Sequence, residues 1–140
     1  MKQTRKENIV LVADDDLFIR KVIRKGLHNL AVTVEEVIEG GAVLEAYQHL
    51  MPDVLILDIH LPGRSGIELL NDIIAIDPDA YIIMISADST AENVARVKDR
   101  GIKGFLTKPI DKNRLCDFVN QCTTIRYDDI TLVEAQLPKA

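Results

Sequence analysis

Four short apolar runs constrain this chain more than any other feature: IVLVA (residues 9–13), VLIL (54–57), YIIMI (81–85) and FL (105–106). None alternates apolar with polar residues, as a strand with one wet face would. Uniform runs of this length suit strands covered on both faces, and hence a parallel sheet. The stretch 32–38 contains Glu35 and Glu36 and reads as a fifth strand, at an edge.

Helical periods fill the gaps. Ile19, Val22, Ile23, Leu27 and Leu30 form one apolar stripe, and Val43, Leu44, Tyr47 and Leu50 a second. Ile67, Leu70 and Ile74 form a third, opened by Ser65 and Glu68 at capping-box spacing and stopped before Pro78. Leu115, Phe118, Val119 and Cys122 form the last, with Asp111 as its expected N-cap. The helix expected over 89–100 differs. Its stripe is only Ala91, Val94, Ala95 and Val97, closed by Gly101, so it should be the easiest to move. Strand and helix alternate throughout, which predicts an α/β fold with right-handed crossovers. The pattern lapses from Thr124, so 124–140 reads as an extension of the last helix or the start of a linker.

Composition narrows the function. With 140 residues and 47% apolar content the chain suits one ordinary domain and not a disordered one. No apolar run approaches the about 20 residues a membrane helix needs. The N-terminal MKQTRKEN is charged but has no apolar stretch behind it, so the expected location is the cytoplasm. Net charge is −5 with no lysine or arginine stripe, which argues against a direct nucleic-acid surface. Cys116 and Cys122 lack partners at metal-ligand spacing and read as reduced thiols on one helix.

In open α/β sheets ligands bind at the carboxyl ends of the strands. Asp14-Asp15-Asp16 follows the first run and Asp58 the second. Ser86-Ala87-Asp88 follows the third and Thr107-Lys108-Pro109 the fourth. Crowded carboxylates repel, and a hard divalent cation relieves the conflict; oxygen-only ligands suit Mg²⁺ or Mn²⁺. Such a cation can clamp a phosphoryl oxygen while Lys108 neutralises another and the Ser86 hydroxyl donates to a third. An ionised aspartate is then free to attack phosphorus. Each residue alone has a plainer reading: Asp16 suits a helix N-cap, and one lysine or serine says little. Joint placement at four strand ends is what points to this chemistry.

VLVADDDLFIR, LILDIHLPGRSGIELL, IIMISAD and GFLTKP resemble, in order and separation, the four signature stretches of bacterial two-component response-regulator receiver domains. The resemblance covers about residues 7–123, so a receiver domain is expected over 1–123. It implies a flavodoxin-like five-stranded parallel sheet of order 2-1-3-4-5 with helices on both faces. It implies Asp58 as phosphoacceptor, Asp15 as direct Mg²⁺ ligand and Asp14 as a ligand through water. His60 would lend its backbone carbonyl to the metal, Ser86 and Phe105 would be the switch pair, and Lys108 would sense the phosphoryl group, with Pro109 behind it, often after a cis bond. Pro62, Gly63 and Gly66 match the loop after the acceptor.

A sensor histidine kinase or phosphotransfer protein would supply the phosphoryl group. An effector, or a second receiver in a phosphorylation-dependent dimer, would read the face of the fourth helix, fifth strand and fifth helix. The domain would turn over only its own phosphoryl group. His60 is an uncommon residue at its position; its side chain and that of Asp88 are candidates for tuning hydrolysis, although a solvent-facing rim role fits His60 better. Two other readings fit the acids. Asp14-x-Asp16 is similar to the nucleophile pair of haloacid-dehalogenase-type phosphatases, which would phosphorylate Asp14. A receiver-like interaction module that no longer accepts phosphate is the other, although such modules usually lose an acid or the lysine.

Overall fold

The structure, a computed structural model, describes residues 7–88 and 91–125. Its elements alternate in chain order: β1 (Ile9–Ala13), α1 (Leu17–Gly26), β2 (Thr33–Val37), α2 (Gly40–Leu50), β3 (Val54–Asp58), α3 (Gly66–Ile76), β4 (Ile82–Ser86), α4 (Ala91–Lys98), β5 (Gly104–Thr107) and α5 (Lys112–Asn120). The five strands form one parallel sheet of order β2-β1-β3-β4-β5, the order the resemblance implied.

Three of the four apolar runs became β1, β3 and β4, buried along their whole length; the fourth became β5, at an edge of the sheet, where Leu106 is buried but Phe105 only half-buried. Successive side chains point to opposite faces. Leu11, Ala13, Leu55, Leu57 and Met84 therefore pack with Tyr47, Leu70, Ile73 and Val97 from α2, α3 and α4. Val10, Val12, Ile56, Ile83 and Ile85 pack on the other side with Ile23 of α1 and Leu115 and Val119 of α5. At an edge, β2 leaves both glutamates exposed. Register aligns the carboxyl ends: Ala13 lies beside Val37 and Leu57, Asp58 beside Ile85, and Ser86 beside Thr107.

Local chemistry sets the helix starts. Asp16 caps α1 by accepting from Phe18 N, Ser65 caps α3 by accepting from Glu68 N, and Asp111 caps α5. The first apolar stripe outruns its helix: α1 stops at Gly26, while Leu27 caps it and Leu30 packs from the turn beyond. Cys122 likewise packs from beyond the end of α5. Among the described side chains of the α4 stripe, Val97 is fully buried, Val94 half-buried and Ala95 exposed, a thin attachment; the expected start at Ser89 and the Ala91 side chain lie outside what is described. The chain after α5 stays on the domain as far as it is described, since Ile125 is buried and the Thr124 hydroxyl donates to Asp53 Oδ1. Residues 126–140 and 1–6, with the proposed linker and the N-terminal charges, lie outside the described residues. No helix among the described residues is long and apolar enough to cross a membrane.

Candidate functional site

Four strands deliver side chains to one rim. Asp14 and Asp15 leave β1, Asp58 ends β3, Ser86 ends β4, and Lys108 follows β5. Lys108 Nζ lies 2.8 Å from Asp14 Oδ2 and 3.0 Å from Asp58 Oδ2, joining two strand ends that are neighbours to a third across the sheet. Asp14 and Asp58 are buried, whereas Asp15 is exposed.

Asp14 is held on several sides. Its N–H donates to the Val37 carbonyl at 3.2 Å, and its Oδ1 accepts from Asp16 N at 2.8 Å. Arg20 Nη1 donates to its backbone carbonyl at 3.0 Å. Asp58 Oδ1 accepts from His60 N at 3.1 Å. Gly66 lets α3 begin directly under the loop that follows Asp58: its N–H donates to the Ile59 carbonyl at 2.7 Å, and an added Cβ would lie 2.2 Å from the Asp58 carbonyl oxygen.

Burial pushes the Asp58 carboxyl above the usual range. The Lys108 ammonium and the His60 N–H pull it back, and the Asp14 charge adds to the rise. Burial works against the Lys108 charge, but the Asp14 and Asp58 carboxylates outweigh it and raise the ammonium pKa. The site thus carries more negative charge than one lysine neutralises.

A cation fits that surplus. Asp14, Asp15 and Asp58 each offer a carboxylate oxygen, and these atoms lie within 4.8 Å of one another. Asp14 Oδ2 is buried and, apart from its ion-pair contact with Lys108, accepts no well-aligned hydrogen bond. A set of hard oxygen donors around an incompletely satisfied carboxylate suits Mg²⁺ or Mn²⁺.

The remaining expected residues sit around this centre. Ser86 is fully buried, and its Oγ accepts from Asp88 N at 3.0 Å. The Asp88 and His60 side chains are exposed on the rim. Phe105 is half-buried beside Met84. The Lys108–Pro109 peptide bond is cis. Pro62 and Gly63 line an open recess with Asp15, Ile38, Glu39 and Gly41. One contact had no sequence signal: Arg20 adjoins Ile19 on a helix stripe, and nothing in the spacing of the chain shows that it reaches back to Asp14.

Comparison with known proteins agrees with this geometry. A family model described as the response regulator receiver domain matches residues 10–120. The chemotaxis protein CheY of Halobacterium salinarum is 31% identical over 115 residues, covering 82% of this chain and 96% of that protein. The DNA-binding transcriptional regulator NtrC of Escherichia coli is 36% identical over 103 residues, covering 74% of this chain but 22% of that protein. Among solved structures, CheY in a CheX–CheY–BeF₃–Mg²⁺ complex from Borrelia burgdorferi superposes with a TM-score of 0.75 at 28% identity, covering 80% of this chain and 86% of that one. A shared fold, a shared strand order and a match over most of the length lead to one assignment: the chain belongs to the response regulator receiver domain family.

Proposed function

We propose that this chain is a two-component signalling switch in the cytoplasm. It takes a phosphoryl group from a histidine kinase or phosphotransfer protein onto Asp58, in a reaction that requires Mg²⁺ or Mn²⁺. The observation that carries this reading is the lysine bridge: Lys108 Nζ within 3.0 Å of both Asp14 and Asp58, with Asp15 beside them.

Asp14, Asp15, Asp58 and the backbone carbonyl of His60 would hold the cation. When bound, it supplies Lewis-acid neutralisation of phosphoryl oxygens. Asp58 provides the nucleophile: one carboxylate oxygen forms a bond to phosphorus as the bond to the donor's leaving group breaks. Lys108 is already at hydrogen-bond distance from Asp58 and turns to a phosphoryl oxygen as charge builds there. The Ser86 hydroxyl donates to another. His60 and Asp88, both at the rim, flank the route of the water that later hydrolyses the acyl phosphate. The switched output is the α4–β5–α5 face, where an effector or a second receiver docks. The relative solved with both BeF₃ and Mg²⁺ supports this reading.

Intact-mass measurement after incubation with Mg²⁺ and acetyl phosphate tests it. The wild-type chain gains one acid-stable, base-labile phosphoryl group, and Asp58→Asn gains none. A phosphatase of the haloacid-dehalogenase type would instead lose its adduct with Asp14→Asn and keep it with Asp58→Asn. A chain that gains no adduct under any condition is an interaction module only.

A further inference from the structure

The geometry points to Arg20 as a positioning residue for the metal-binding pair, acting through the Asp14 backbone carbonyl and anchored on Glu36 of the edge strand. The inference rests on the proposed metal role of Asp14 and Asp15.

Asp14 lies two residues ahead of the α1 N-cap, so its carbonyl has no helical partner. A buried carbonyl left unpaired is costly. Arg20 meets the need from the first turn and a half of α1. Its Nη1 donates to Asp14 O at 3.0 Å while its Nε donates to Glu36 Oε1 at 2.6 Å. The Arg20 side chain is only 12% exposed, which limits its freedom to swing away. One planar guanidinium thus ties three elements: the loop after β1, helix α1 and strand β2.

The consequence falls on the carboxylates. Asp14 N is fixed by Val37 and Asp14 O by Arg20, so both peptide planes flanking its Cα are held. The Asp14 side chain is therefore aimed at Lys108 and Asp58, and Asp15 is presented from a fixed peptide. Groups that orient metal ligands in this way commonly matter as much as 10–100-fold in affinity.

Arg24 supplies a control. It also pairs with Glu36 and donates to the Val34 carbonyl at 3.0 Å, yet its contacts end on β2 and do not touch Asp14. If the arginines serve only to fasten the edge strand, both should matter alike and neither should affect the metal.

The experiment is Mg²⁺ titration of the 140-residue chain by calorimetry, with amide spectra recorded before Mg²⁺ is added. Arg20→Met should shift the metal-free amide signals of Asp14, Asp15 and Asp16 and weaken Mg²⁺ binding roughly tenfold. Arg24→Met should leave affinity within about twofold, whatever it does to the melting temperature. Arg20→Lys keeps the charge without the fork, should lose less than Arg20→Met, and serves if the Met variant does not fold. A folded Arg20 variant that binds Mg²⁺ as tightly as wild type overturns the assignment, as does an equal loss in Arg24→Met. A wild-type chain that binds no Mg²⁺ overturns instead the metal reading itself.

Discussion

Asp58 Oδ2 and Lys108 Nζ stand 3.0 Å apart although fifty residues separate them in sequence. The contact passes over the end of β4, which lies between the strands that carry them. The same ammonium touches Asp14, so it is the shared counter-charge of two buried carboxylates. Lys108→Met removes it and leaves like charges facing each other. Stability without metal should fall by about 1–3 kcal/mol, because two buried carboxylates lose the donor they share. Mg²⁺ should then stabilise the variant by more than it stabilises wild type, since ligand linkage scales with affinity for the folded state. Urea denaturation with and without Mg²⁺ measures both terms. An equal Mg²⁺ increment in the two proteins would contradict the shared-counter-charge picture.

Acid titration should show opposite contributions from two carboxylates. Glu36 has its pKa lowered, chiefly by its hydrogen bond to Arg24, with burial opposing and Arg20 helping. Its contribution is therefore present above the ordinary value of 4.5 and lost as pH falls through the folded value. Asp58 has its pKa raised by burial, so the folded state binds that proton more tightly than the unfolded state. Its ionised form opposes folding at neutral pH, and the penalty lifts as pH falls. Thermal melts in metal-free buffer from neutral pH to about pH 3 separate the two. Glu36→Gln should flatten the acid loss. Asp58→Asn should raise the melting temperature most at neutral pH and least in acid.

The sheet was legible because strands buried on both faces must be apolar throughout, and β1, β3 and β4 are. The rim was legible because strand ends converge in a parallel sheet, so Asp14, Asp58, Ser86 and Lys108 could be gathered before any distance was known. Helix ends were less so: Leu27 and Leu30 keep the period of α1 yet lie outside it, since apolar side chains pack equally well from a turn. Arg20 was invisible for a different reason. Its partners, Asp14 and Glu36, are 6 and 16 residues away, and only the pairing of β1 with β2 brings them together. The same holds for the Asp53 carboxylate, which joins Ile9 N to the Thr124 hydroxyl at the opposite end of the sheet.

Adjacent glycines at the start of α2 should behave oppositely. Gly40 N donates to the Pro62 carbonyl at 2.9 Å, and a Cβ on Gly40 would stand 2.7 Å from Arg64 N and O. That backbone belongs to the loop after Asp58 and cannot yield as a side-chain tip can. Gly40→Ala should therefore cost about 1–3 kcal/mol through overpacking and slow phosphorylation of Asp58. Gly41 has nothing within 4 Å of an added Cβ and is the second residue of the helix. Gly41→Ala should stabilise by about 0.5–1 kcal/mol and leave phosphorylation unchanged. Parallel denaturation curves and acetyl-phosphate time courses check the pair.

Ser86 should couple phosphorylation to the far face. Its Oγ accepts from Asp88 N, which leaves the hydroxyl hydrogen to be donated. Met84 shares its side of β4, and the half-buried Phe105 lies beside Met84 on β5. Val97, a fully buried residue of α4, joins the same cluster. A Ser86 side chain drawn toward a phosphoryl group would open space that Phe105 can fill, and α4, whose described side chains include a single fully buried one and which is followed by the Arg100–Asn71 hydrogen bond, would follow. A charge-assisted hydrogen bond of about 1.5–3 kcal/mol shifts a two-state equilibrium about ten- to a hundredfold, provided the active state alone makes it. Amide shift mapping with and without beryllofluoride and Mg²⁺ reads that shift. Wild type should respond at residues 14–16, 58–66 and also 86–110. In Ser86→Ala the response at 91–110 should shrink while that at 14–16 and 58–66 persists. A wild-type response confined to the rim, or an unchanged far-face response in the variant, would show that Ser86 does not carry the signal.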